Sequence, residues 1–393
     1  MATIKKRKWS NKSGTHEAWV LNYMGSDGKR CREQFELKRD ADARRVQVEG
    51  QINNGSYRPD ANTTTVKQMC DEYIKVLEAR NERNERVVQA YLVGERGHIN
   101  NYISPREASK TGFVDGIGNM KLGKLTPRGV GKFRDDLRNA GVSIMNTRAI
   151  LGTLGRVLKH AIGQDIIVVN AAAGTKVIGT RTEGAKKVYP PSKADITAFI
   201  AACSEDFKVR VVFSAATGLR VSEMLALRWK HVDLKTGEVS VERAVDRYGN
   251  EDTTKSLAGI RTVPMGDTVT ALLRAWKLRA KYSKDGDLVF PNTVGRYQSY
   301  RNLRERLFKP TAARVREEMK KRGQQFKPFT WHALRHFAIS TWIEAGFPPK
   351  TVQTFAGHSS LAVTMDRYGH LFRSEDHKII MDAIAAKLFP NGA

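Results

Sequence analysis

The apolar residues of this 393-residue chain change their spacing along its length, and that limits the folds open to it. Near the N-terminus Trp19, Leu21 and Tyr23 alternate with Val20, Asn22 and Met24, the two-residue period of a strand with one aromatic face. The turn Gly25-Ser26-Asp27-Gly28 follows, and Lys29 to Leu37 alternates again through Cys31, Glu33, Phe35 and Leu37. A short helix is expected from Asp40, as its N-cap, to about Gln51. From Thr65 the spacing becomes helical: Val66, Met69, Cys70, Tyr73, Ile74 and Leu77 share one face at three-and-four intervals. Further helices are expected over Thr126–Asn139, capped by Thr126-Pro127, and over Ser143–Gly163.

Two stretches rich in turn formers, Asn53–Asn62 and Gly174–Pro191, separate these blocks. The remainder reads as helical with one β insert, in which Glu238–Val245 and about Thr253–Met265 alternate around the turn Arg247-Tyr248-Gly249-Asn250. The expected fold class is therefore multidomain and mainly α with β inserts. A β-rich unit of three strands and a helix occupies residues 1–57, an all-α domain 63–175, a linker 176–191, and a mixed α/β domain 192–393.

Charge narrows the partners. The chain holds 67 Lys and Arg against 41 Asp and Glu, a formal net charge of +26. Such an excess repels itself in a compact state and points to a polyanion, nucleic acid before an anionic membrane. No apolar run approaches the ~20 residues needed to span a bilayer. The basic start Met1 to Lys8 has no apolar stretch after it, so it reads either as a nuclear localisation patch or as a solvated arm that contacts DNA. Lys29, Arg30, Arg32, Lys38, Arg39, Arg44 and Arg45 crowd the first unit, and a sheet with basic residues on its open face fits a DNA groove. Cys31, Cys70 and Cys203 lie too far apart in sequence for a disulfide framework or a zinc pattern, which suits a reducing cytosol. Gly118 to Leu125 nearly spells a phosphate-cradling loop, but Leu125 stands where Ser or Thr must ligate magnesium, so no nucleotide site is expected there.

In the last block several polar residues occupy places that packing alone does not explain. Thr217-Gly218 breaks an apolar helix, and Arg220 begins the next one, where a cation gains nothing from the helix dipole. An anionic ligand would account for it, with Glu223 one turn on to orient the guanidinium. His332 and Arg335 share a helix face in Thr330 to His336. Gly357-His358 and Tyr368 follow. Each has an ordinary reading by itself: a surface Arg–Glu pair, a solvated Lys255, a core histidine, a half-buried tyrosine.

Taken together, Ala216 to Glu223 (ATGLRVSE), Lys255, His332-Ala333-Leu334-Arg335-His336, Gly357-His358-Ser359 and Asp366-Arg367-Tyr368 resemble the tyrosine recombinases of the phage integrase family, the lambda-integrase-like site-specific recombinases. Order, identities and spacing agree through the last block, and the preceding units resemble that family's arm-binding and core-binding domains. Ala333 and Phe337 depart from the family's common Asp and small hydroxyl residue, at positions of packing rather than chemistry. The resemblance implies a DNA integrase in which Tyr368 attacks the scissile phosphate to form a 3′-phosphotyrosine. Arg220 and Arg335 would grip the phosphate oxygens, and His332 would bond the phosphate and help accept the tyrosine proton. His358 would add a hydrogen bond, and Lys255 would be the general acid for the 5′-hydroxyl. No cofactor, metal or ATP is expected for such chemistry.

The implied partners are double-stranded attachment sites of core and arm type, a homotetramer on DNA, a DNA-bending host factor and an excisionase, in a bacterial cytoplasm and with no membrane. The apolar face of Ile379, Ile380, Ala383, Ile384, Leu388 and Phe389 would dock on its own domain or on a neighbouring protomer. A type IB topoisomerase-like nicking-closing enzyme and a non-catalytic DNA-binding architectural protein are the alternatives. The basic first unit and the tail weigh against the former, and the intact Arg220, Lys255, His332, Arg335, His358 and Tyr368 against the latter.

Overall fold

A computed structural model describes residues 2–11, 14–25, 28–83, 85, 87–106, 111–180, 189–253, 259–372, 381 and 387. The chain divides into two units, Met1–Thr180 and Arg181–Ala393.

The first unit contains two apolar cores. Strands β1 (Thr3–Asn11), β2 (Gly14–Met24) and β3 (Arg30–Phe35) form an antiparallel sheet in that order. Helix α1 (Lys38–Asn53) covers one face, closing a small core of Leu21, Tyr23, Val48 and Tyr57. The basic N-terminus is a strand: Lys5, Lys6, Arg7 and Lys8 pair with Val20, Trp19, Ala18 and Glu17. Helix α1 also begins earlier than its sequence cue. Leu37 is the residue before it, and Asp40 lies in the first turn, where a carboxylate meets the positive end of the helix dipole.

The second core is helical. Thr65 and Gln68 form a reciprocal capping box at the start of α2 (Val66–Glu82). Helix α3 covers Gln89–His98, and α4 (Pro127–Asn139) and α5 (Ile144–Gly163) start on the hydroxyls of Thr126 and Ser143. Their apolar stripes meet through Met69, Leu77, Leu92, Phe133, Ile150, Leu154 and Leu158. Inside this core the Glu95 carboxylate accepts from Tyr73 Oη (3.1 Å), Thr153 Oγ1 (3.1 Å) and Arg156 Nε (3.1 Å). The glycines of 118–123 serve packing: a Cβ on Gly118 would lie 2.3 Å from Ser104 Oγ.

The second unit packs helices around two small sheets. Helices α6 (Lys193–Ala201), α7 (Glu205–Thr217) and α8 (Val221–Ala226) come first. The single β insert expected from sequence is two separate sheets. One is β4 (Val232–Asp233), β5 (Glu238–Val241) and β8 (Arg261–Pro264); the other is the hairpin β6 (Arg243–Val245) with β7 (Glu251–Thr253). Helices α9 (Gly266–Arg279), α10 (Tyr300–Asn302), α11 (Lys309–Lys321), α12 (Trp331–Glu344), α13 (Pro349–Ala356) and α14 (Leu361–Tyr368) complete it. Phe199, Phe207, Phe213, Trp229, Val263, Phe290 and Leu334 lie in the main core. A satellite cluster of Ile339, Ile343, Val352 and Ala356 surrounds Tyr368. Lys255 and the apolar residues 379, 380, 383, 384, 388 and 389 lie outside the described residues. Among the described residues no helix is long and apolar enough to cross a membrane.

Candidate active site

Two helix ends in the second unit build the site. Helix α7 stops at Gly218, whose φ of +59° is the left-handed conformation that L side chains resist. A Cβ there would also meet Trp342 at 2.9 Å. This turn sends Leu219 into the core and leaves Arg220 as the N-cap of α8. The Arg220 amide donates to Glu223 Oε2 (2.8 Å) and its Nη1 to Glu223 Oε1 (2.7 Å), so Glu223 holds the guanidinium from one side.

Helix α13 ends at Gly357, with φ of +63°. The last carbonyls of a helix have no partner within it and carry the negative end of its dipole. Here three successive ones each accept from a different arginine. Arg261 Nε donates to Phe355 O (2.7 Å), Arg335 Nη2 to Ala356 O, and Arg220 Nη2 to Gly357 O (2.9 Å). Arg335 Nη1 also donates to Gly218 O (2.8 Å), tying α12 to the end of α7. Arg261 and Glu223 are both fully buried and joined by Nη2 to Oε2 (2.8 Å) and Nη1 to Oε1 (3.2 Å). Burial alone would push the Glu223 carboxyl up, but the hydrogen bonds and charges of Arg261 and Arg220 hold it below the usual range. Burial, then Arg220, lowers the Arg335 pKa to about 9, which still leaves it charged at neutral pH.

Tyr368, the last residue of α14, is 1 % exposed, more deeply buried than the half-buried aromatic its position suggests. Its hydroxyl meets Nδ1 of His336, and the His358 ring lies nearly parallel to its own, 6.2 Å away at 16°. Burial raises the phenol pKa to about 12 against the opposing pull of Arg335 and Arg367. His358 Nδ1 bonds Thr364 Oγ1 (2.9 Å), and burial with the surrounding guanidiniums lowers the ring to about 3, so it is neutral. His332 is exposed at the mouth of the site; the protein on its inner side, then Arg335, Arg367 and Arg220, keep it below the ordinary histidine value.

Arg220, Glu223, Arg335, His358 and Tyr368 are therefore brought together, with His332 at the rim. Sequence reasoning missed two residues. Arg261 is a charge at an inward position of a buried-exposed alternating strand, and that alternation was the available signal. His336 repeats His332 one helical turn on, a spacing that placed both on one face. His370 is exposed, with its ring 6.2 Å from that of Tyr189.

The basic residues of the first unit sort by strand alternation. Arg30 and Arg32 are exposed on the sheet face away from α1, and the pairing Thr3–Asn22–Arg32 brings exposed Lys5 and Arg7 onto that same face. Lys29 is exposed at the entry to β3. Lys38 lies over the Trp19 ring (5.6 Å), and Arg39 and Arg45 pair with Asp40 (3.4 Å) and Asp42 (3.6 Å). Arg44 is engaged with Glu33 (2.9 Å), which also accepts from Tyr23 Oη (2.6 Å), so it serves the fold of this unit.

Residues 192–375 match the phage integrase family. The chain is 24 % identical over 391 residues to a tyrosine recombinase XerC-like protein of Caldanaerobacter subterraneus subsp. tengcongensis, covering 92 % of this chain and 94 % of that one. It is 26 % identical over 267 residues to the ICEBs1 integrase of Bacillus subtilis, covering 65 % and 70 %. Its fold resembles the Tn1549 transposon integrase in complex with circular intermediate DNA, with a TM-score of 0.61, 20 % identity, and coverage of 82 % and 100 %. A lambda integrase dimer bound to a COC′ core site is similar at a TM-score of 0.55 and 16 % identity, over 94 % and 95 % of the two chains. Residues 192–375 therefore form a phage integrase family domain, and a tyrosine recombinase, a DNA strand-transfer enzyme, resembles the chain over most of its length.

Proposed function

We propose that this tyrosine recombinase cleaves and rejoins DNA at specific sites through a 3′-phosphotyrosine bond to Tyr368, to integrate or excise a mobile element such as a prophage. The observation that carries this reading is the convergence of Arg220 and Arg335 on adjacent carbonyls at the end of α13, beside a buried tyrosine. Each guanidinium has five donors, and the hydrogen bonds described leave several for the non-bridging oxygens of a phosphodiester. Two fixed positive forks stabilise the charge that develops at pentavalent phosphorus, and they need no reorganisation when it appears. His358 adds a hydrogen bond to the phosphate. His332, which is exposed, also hydrogen-bonds the phosphate. Lys255 protonates the departing 5′-oxygen. Because the phosphotyrosine keeps the bond energy, religation to a new strand needs no ATP.

The net charge of +26 suits a double-stranded DNA partner. Residues 1–57 would read an arm-type site with the open face carrying Lys5, Arg7, Arg30 and Arg32. Residues 63–175 would clasp the core-type site, with 176–191 as the linker to the catalytic domain 192–393. Assembly would be a homotetramer on DNA, coupled by the apolar tail, with a DNA-bending host factor and an excisionase setting direction.

Sequencing the chromosomal junction of the element that encodes the chain supplies the substrate. A nicked duplex of that junction should trap a covalent protein–DNA adduct, and Tyr368→Phe should abolish it while still shifting the duplex on a native gel. An adduct that persists in Tyr368→Phe would refute the assignment of the nucleophile.

A further inference from the structure

The mechanism above leaves one neighbour of the nucleophile idle. His336 stands on α12 one turn beyond His332, and among the described residues its Nδ1 is the hydrogen-bond partner of the Tyr368 hydroxyl. The two rings lie 5.8 Å apart at 51°. His332, which the family resemblance suggested as the acceptor of the tyrosine proton, instead faces the His336 ring edge-on at 4.7 Å and 85°. Burial, and then His332, Arg335 and Arg367, lower the His336 pKa to about 4, so the ring is neutral and its lone pair is free to accept. The phenol, raised to about 12, keeps its proton until an acceptor takes it.

We propose that His336 is a catalytic residue of this site, the general base that takes the Tyr368 proton during strand cleavage. The proposal rests on Tyr368 being the nucleophile. As the phenol oxygen bonds to phosphorus, its O–H bond breaks and the proton passes to His336 Nδ1. The bond from phosphorus to the 5′-oxygen breaks, and that oxygen takes a proton from the acid, Lys255. In religation the 5′-hydroxyl attacks and returns its proton to Lys255, while the phenol oxygen leaves and recovers its own proton from His336. A weak base suffices because the phenol charge flows into the forming bond, so free phenolate never accumulates. The anionic phosphate also offsets part of the guanidinium charge that keeps the imidazole weakly basic.

The test uses two duplexes of the sequenced junction in single-turnover cleavage by the full chain: one with the natural phosphodiester, one with sulfur replacing the bridging 5′-oxygen. A thiolate leaves without a proton, so the second duplex bypasses the acid and reports the nucleophile side alone. His336→Ala and His336→Asn are each expected to slow both duplexes by at least ~10²-fold, the low end for general-base loss. Asn places an amide where Nδ1 stood, so it keeps a hydrogen bond but cannot accept the proton. Lys255→Ala should be slow on the natural duplex and restored on the sulfur one. Cleavage by His336→Asn within about threefold of wild type would make the histidine a mere positioner and overturn the proposal. So would rescue of His336→Ala by the sulfur duplex, which would put it on the leaving-group side. If His336→Ala fails to shift the duplex on a native gel, His336→Asn decides alone. An adduct formed by Tyr368→Phe would instead remove the reading beneath the proposal, an outcome no His336 variant can mimic.

Discussion

Each unit buries a carboxylate against arginine, Glu95 in the first and Glu223 in the second, and the two are settled differently. Glu95 in the first unit faces one guanidinium, Arg156, plus the hydroxyls of Tyr73 and Thr153. Charge cancels there, and Arg156 is 42 % exposed at its side chain. Glu223 in the second unit faces Arg220 and Arg261, with Arg335 on the next carbonyl along. One negative charge answers three positive ones, and the surplus is shared among backbone carbonyls. A buried ion pair by itself says little about stability or function. The imbalance is what distinguishes the second cluster: two positive charges stay unanswered, and a phosphate is an anion of suitable shape.

The most severe way to break the contrast is Glu223→Ala, which strands fully buried Arg261 without a counter-charge. Removing one partner of a buried pair costs ~3–5 kcal/mol, so the urea midpoint of the full chain should fall sharply. Arg335→Lys tests the surplus itself. A lysine cannot span Gly218 O and Ala356 O, and cleavage of the nicked junction should drop by ~10²–10³-fold, the usual loss for one preorganised donor, with duplex binding retained. Glu95→Gln sharpens the other side: a stability loss of roughly 1–3 kcal/mol, with no change in the cleavage rate of the folded fraction.

Mild acid gives the smallest effect. Folded His358 has a pKa depressed to about 3 from 6.5, so the unfolded chain takes up a proton that the folded one refuses. Stability is therefore fully present above pH 6.5 and is lost as pH falls toward the folded value. Between pH 7 and 6 the loss from this group is less than about 1 kcal/mol, and His358→Asn should flatten the slope in unfolding experiments.

Much of this was legible in the chain. Thr65, Thr126 and Ser143 announced their helices because capping is local, and the three-and-four spacing of α2 follows from its own few turns. Arg220, Arg335, His358 and Tyr368 stood out because their order and spacing match a family. What escaped depended on partners far away in sequence. Strand β1 was hidden by lysines: the Lys6 ammonium lies over the Trp19 ring at 6.0 Å, an aromatic partner that the charge alone does not reveal. Arg261 reads as an ordinary basic residue until the strand's buried alternation and the end of α13 place it beside Glu223. His336 acquires a partner only when α14 delivers Tyr368, 32 residues later.

The three arginines at the end of α13 have one short helix as a common support, besides Glu223 for two of them and Gly218 O for the third. They consequently share its motion. A tilt or a shift of α13 would carry the carbonyls of 355, 356 and 357 together and retune every guanidinium at once. Whatever presses on that helix would therefore be felt at all three guanidiniums, with Glu223 and Gly218 O left to hold them in place.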